Sequence, residues 1–329
     1  GDSNVAVGYA ALDANTTAAS NTAVGASALG ANTTGANNVA VGKGSASSMT
    51  TSPSNTCIGT DAGAGITTGT GENVCIGNRA GFGMTTGAQN IIIGDNASAN
   101  GALTGSGNVV IGDNAGIAMT TGGNNVAIGL TALDANTTGA LNTAVGSSAL
   151  GAATTASNNT AVGFAALDAT TTGASNTGVG YDALGVNTTG ASNAAFGIYA
   201  LDANTTGSSN VALGRHSLGA NTTASNNTAV GTSALGANIT GTQNVAIGTD
   251  ALSLNTTNNN TAVGFRALKV NTSGTGNASL GYSSLDANTT GSNNTAVGAD
   301  SLTANTTASN NTAVGASALL ANTTGNGLT

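Results

Sequence analysis

Apolar residues fall along this chain in two short beats separated by polar turns. A typical stretch reads NTAVGASALGANTTGAN, in which TAV and AL alternate with Gly, Asn and Thr. Neither piece is long enough for an ordinary helix, and Gly and β-branched Thr recur too often for the Ala and Leu to prevail. Short strands with a turn every eight or nine residues fit the pattern, which predicts an all-β fold.

The pattern is periodic. The string N-x-x-apolar-G occurs 19 times, with its glycine at Gly8, Gly25, Gly42 and onward to Gly298 and Gly315. Of the 18 intervals, fifteen are 17 residues, two are 18 and one is 16. Asn stands four before every one of these glycines, and Val, Ile, Leu or Phe stands just before it. A period of this kind predicts a parallel β-solenoid or β-roll of about 19 coils, each 17-residue coil stacked on the last through backbone hydrogen bonds. At about 4.8 Å per coil the array makes a rod roughly 90 Å long. Residues 1–329 are expected as a single repeat array with no linker.

Counting from the anchor glycine as zero, further rows appear. Leu fills +4 at Leu12, Leu29 and every repeat from Leu133 to Leu319, and Asn fills +7 in twelve repeats. Position +9 is Thr or Ser except at Leu103, and −2 is small except at Ile92 and Val110. On hydrophobicity, Val24, Val145 and Val230 are expected inside, facing Leu29, Leu150 and Leu235. The small −2 row then faces outward as a strip for chain–chain packing. The Gly row implies positive φ or close backbone approach, and the Asn rows imply turn caps and stacked amides. Asp134, Asp168 and Asp202 share +5 in alternate coils with Gly151 and Gly185 between, which keeps like charges apart. Residues 45–125 form a variant block that lacks the Leu row, and locally different turns are expected there.

Composition removes several functions. Five basic residues against 13 acidic ones cannot neutralise a phosphate backbone, so no nucleic-acid partner is expected. No apolar run approaches 18 residues, so no membrane span is expected. Val, Ile, Leu and Phe total only 58 of 329 residues, fewer than an enzyme core of this size uses. The chain begins at Gly1 with no visible signal peptide, as expected of a processed chain or a segment of a longer one.

At N-T-A-V-G-x-x-A-L the sequence resembles the head repeats of YadA-like trimeric autotransporter adhesins, whose pattern is close to N-S-V-A-I-G-x-x-S with a shorter period. The NTAVG…ANTTG array is also similar to repeats of bacteriophage tail-fibre proteins. The resemblance covers nearly the whole chain and implies a left-handed β-roll, usually trimeric, serving as a fibre or adhesive surface on a cell or virion. The 17-residue period departs from the adhesin pattern, and no coiled-coil stalk or anchor is recognisable.

Candidate chemistry is sparse. His216, the one histidine, reads as a solvated turn residue. Asp61, Asp95 and Asp113 follow anchor glycines, but no D-x-D or G-G-x-G-x-D spacing supports calcium. Cys57 and Cys75 occupy −2 in consecutive coils, where in-register strands place them within disulfide range, although two small buried residues suffice as an explanation. Twelve sequons form a ladder of candidate glycosylation sites: Asn15, Asn32, Asn136, Asn187, Asn204, Asn221, Asn238, Asn255, Asn271, Asn288, Asn305 and Asn322. No catalytic set, metal or cofactor is expected. The expected function is a non-enzymatic structural or adhesive fibre, extracellular or on a cell or virion surface, that associates with itself and meets a cell-surface receptor or glycan. The alternative is an ice-binding or glycan-binding solenoid that uses its Asn and Thr ladders.

Overall fold

The computed structural model describes all 329 residues. The chain is all-β, with nineteen three-residue strands and no helix. It divides into two compact units, residues 1–172 and 173–329. The first holds the ten strands from Val5–Val7 to Thr160–Val162, and the second the nine from Thr177–Val179 to Thr312–Val314. Within each unit every strand pairs in parallel with the strand one repeat on. Thr22, Ala23 and Val24 oppose Val39, Ala40 and Val41, and Val211, Ala212 and Leu213 oppose Thr228, Ala229 and Val230. The register follows the sequence repeat without slippage, as a β-solenoid requires.

The turns of the coil are left-handed corners. Positions +2 and +4 have positive φ in successive coils, as at Ser27 (58°) and Leu29 (49°), and so does −5, as at Ser20 (59°). The anchor glycine is more extreme. Gly25 has φ 137°, and a Cβ there would lie 2.5 Å from the carbonyl oxygen of Gly42 in the next coil. Both reasons that sequence offers for a Gly row therefore operate at one position.

Two Asn ladders close the coil. The −4 Asn accepts through Oδ1 from the backbone N–H of its counterpart in the next coil, as Asn21 does from Asn38 at 2.9 Å. Its Nδ2 donates to the carbonyl of Gly35, which also accepts from Nδ2 of Asn32 at +7. Both Nδ2 groups and the −4 Oδ1 are thereby matched, while Oδ1 of Asn32 is buried without a donor. From Asn21 to Asn311 every member of the −4 row is buried.

The interior corrects the expected inside and outside of the strand. Ala23, Ala144 and Ala229 at −2 are fully buried, whereas Val24, Val145 and Val230 are only half-buried and lie on the outer face. Leu29, Leu150 and Leu235 are fully buried as expected. The coil is narrow. Once Leu at +4 and Asn at +7 are inside, the space left opposite admits a methyl group and no more.

The variant block confirms this packing logic and alters its residues. Its turns keep the positive-φ corners at +2 and +4, as at Gly44 and Ala46 or Asn114 and Gly116. They differ as expected in the two 18-residue coils, where Gly69 (φ 122°) and Gly71 (φ 80°) add corners and the turn after Gly94 ends early, at Ser98. What changes is which position supplies the volume. At +4 stand Ala46, Gly63, Gly81, Ser98 and Gly116, while Met49, Ile66, Met84 and Met119 at +7, and Leu103 at +9, are fully buried. The larger −2 residues Cys57, Cys75, Ile92 and Val110 occur in these same coils. A Cβ on Gly116 would lie 2.6 Å from Sδ of Met119 and 3.3 Å from Val110, so the three positions share one volume.

Candidate functional surface

The alternation within each strand sends −3 and −1 to the outer face. In the first unit the −1 row runs through Val24, Val41, Ile58, Ile76, Ile93 and onward to Val162. In the second it runs from Val179 through Phe196, Leu213 and Val230 to Val314. Flanks of these side chains are covered by the rungs above and below, but their ends are open. Val162 is 37% exposed, Phe196 40% and Leu213 48%. Position +1 adds exposed Leu130 and Phe164 in the first unit, and Tyr181, Ile198, Phe265 and Tyr282 in the second. Phe265 and Tyr282 stack with centroids 5.6 Å apart. Isolated exposed apolar residues are ordinary, but a continuous row of them marks an interaction surface.

This surface replaces the expected −2 strip, which is inside the coil and unavailable to another chain. Hydrophobicity alone pointed the wrong way because both faces of the strand are apolar. A signal that resolves it was present in the sequence: −2 enlarges only in coils where +4 shrinks, as residues that share an interior must.

The sequon row is interior. Asn32, Asn136, Asn187, Asn204, Asn221, Asn238, Asn255, Asn271, Asn288 and Asn305 are buried, and Asn15 and Asn322 are half-buried. Their Nδ2 atoms donate to backbone carbonyls, as Asn187 does to Gly190 at 3.0 Å, and some also to the neighbouring amide, as Asn204 does to Asn187 at 2.8 Å. A glycan on that nitrogen in the folded coil displaces a donor that closes the turn. The adjacent Thr at +8 is likewise occupied, with Thr205 Oγ1 donating to the carbonyl of Thr222.

Cys57 and Cys75 are register partners and both are buried free thiols. The hydrogen bond to Cys57, followed by burial, holds the Cys75 thiol well above its usual range. Asp95 and Asp113 are exposed and Asp61 half-buried, and no three His, Cys, Asp or Glu side chains converge as a metal site. Asp95 instead accepts from Nδ2 of Asn78. Asp134 and Asp168 flank Gly151, where a Cβ would lie 2.5 Å from Oδ1 of Asp168. The alternation of Asp with Gly thus provides room as well as charge separation. His216 is a half-buried turn residue, and its ring stacks on Tyr199.

No family model and no curated protein matches the sequence. No helix is long and apolar enough to cross a membrane.

Proposed function

We propose that this chain is a non-enzymatic structural or adhesive fibre protein, outside the cell or on a cell or virion surface, whose copies associate through the outer −3/−1 face of their strands. The observation that carries the reading is the apolar −1 row, which is unbroken within each unit. Its rungs recur at the coil spacing of about 4.8 Å, so only a partner with the same rise meets every rung, and a second copy has that rise. The N-T-A-V-G motif, with its resemblance to adhesin heads and phage fibres, supports the same reading. Mass photometry of the purified chain tests it. The wild type should populate multiples of 30.7 kDa, and replacing Val162, Leu213 and Ile247 together with Lys should shift the population to single chains, because a desolvated ammonium is costly in such a contact. A wild type that is wholly monomeric under the same conditions contradicts the reading.

A further inference from the structure

Apart from the outer ladder, the second unit carries a groove of about 450 Å³ lined by Asp202, His216, Gly219, Ser233, Gly236 and Ser253, with Leu254 also on its lining. No −3 or −1 side chain lines it, so it stands independently of chain association.

The groove has a simple origin in the sequence. Elsewhere, glycines at +5 come singly, and at Gly151 the flanking Asp134 and Asp168 side chains reach over the gap. Gly219 and Gly236 are the one consecutive pair of +5 glycines in the chain. Two rungs of the row are therefore missing between Asp202 and Ser253, which stand three coil spacings apart, about 14 Å.

Its walls are chemically mixed and fixed in place. His216 stacks on Tyr199 with centroids 5.1 Å apart and planes 13° from parallel, and Tyr199 is held edge-on by Tyr181 at 5.4 Å. Asp202 is half-buried, and its Oδ1 is shielded beside Gly219 with no hydrogen-bond donor. When ionised, this carboxylate is a charge-assisted acceptor for hydroxyl donors. Burial pushes this carboxyl above its usual range, against the opposing effects of its own backbone N–H and of His216. Ser233 and Ser253 add hydroxyls, and Leu254 adds exposed apolar surface.

We propose that this groove is a carbohydrate subsite for a neutral pyranose ring. Asp202 accepts from adjacent sugar hydroxyls, Ser233 and Ser253 complete the polar contacts, and the C–H face of the ring lies against His216 and Leu254. An aromatic ring beside a carboxylate also attracts organic cations. Recognition of a quaternary ammonium, however, uses a cage of several aromatic faces, and here one ring lines the site. The size suits one or two sugar rings within the usual range of small-ligand pockets.

Saturation-transfer difference NMR on the full-length chain tests the assignment, because it reads the ligand and works on assemblies of any mass. The probes are methyl glucoside, methyl galactoside and methyl mannoside, with tetramethylammonium as the cation control. At least one glycoside should give a saturable response at millimolar concentration. Gly236→Phe, which fills the groove, should abolish that response. The coil accepts a large side chain at +5, as Phe82 shows. Asp202→Asn should weaken the response about tenfold, the loss of a charged acceptor. Gly30→Phe, the same change at +5 in the first unit, should leave it unchanged. Mass photometry of Gly236→Phe should match the wild type, which separates a lost subsite from lost assembly. Absence of any saturable glycoside response, a response that survives Gly236→Phe, or a response to tetramethylammonium alone would overturn the proposal.

Discussion

At Gly25 two constraints meet in one residue. Its φ of 137° is open only to glycine, and the space a Cβ needs is taken by the Gly42 carbonyl of the next coil. Gly25→Ala should therefore lower stability by about 2–4 kcal/mol, combining backbone strain with a clash that moves the stack. Denaturant unfolding measures this, and a change under about 0.5 kcal/mol, the size of an ordinary surface substitution, would contradict it. Asp134 gives a pH-dependent counterpart. Burial raises its folded-state pKa above the ordinary carboxyl value of 3.8, against hydrogen bonds from the Ala135 backbone and its own. A carboxyl whose pKa rises on folding stabilises the fold while protonated, below the unfolded value, and that contribution is lost as pH climbs through the folded value. Asp134→Asn should thus melt at a higher temperature than wild type at neutral pH, and the gap should close as pH falls below 3.8. A gap that is constant across that window would locate the effect elsewhere. The Gly and Asn rows were legible from residue identity alone, because few residue types satisfy such corners. The burial of the sequon amides was not, since Asn-Thr-Thr reads identically on a surface and in an interior ladder.

Among elements, the unit of packing is the coil interior shared by −2, +4 and +7. Most coils fill it with Ala, Leu and Asn, while the variant coils combine a small +4 residue with Met or Ile at +7, or with Leu103 at +9, and most of them enlarge −2 to Cys, Ile or Val. In the coil of Gly112 these are Val110, Gly116 and Met119. Replacing Gly116 alone with Leu drives it into Met119, whose Sδ is 2.6 Å from the added Cβ. Combining Gly116→Leu with Val110→Ala and Met119→Asn restores the common set. The triple variant should be more stable than the sum of the three single effects by about 1–3 kcal/mol, as expected of residues in contact. Strict additivity would refute a shared interior. The amide ladder supplies a second case. Asn136 Oδ1 is buried without a donor, and the next coil carries Ala153 where Nδ2 of another Asn would stand. Ala153→Asn should extend the ladder and raise stability by about 1 kcal/mol if the amide is accommodated, measured by thermal unfolding. A loss would show that the interior there is already full. Strand positions and register were legible at this scale because the period is strict. The facing of the strand is not legible from hydrophobicity, which favours the larger apolar residue inside. In a coil this narrow the smaller one fits, and the coupled changes at −2 and +4 were the evidence for it.

For the whole molecule, the account turns on what covers the outer ladder. A chain with 18 formally charged residues out of 329 sets few charges beside that apolar row. Its repetition builds the same rung coil after coil, and the proposed groove in the second unit is the one place where two successive +5 rungs are missing. The architecture was legible from the period, whereas the groove depends on two adjacent glycines whose effect appears only when coils are stacked. The most direct test is a nitroxide placed at Leu213→Cys on the ladder and, separately, at Thr206→Cys on an exposed turn, with collision rates against a water-soluble quencher measured in the assembled protein. Cys57 and Cys75 are buried and should not take the label. A covered ladder should give strong protection at 213 that disappears when Val162 and Ile247 are changed to Lys, and free access at 206 throughout. Equal access at 213 and 206 in the wild type would contradict it.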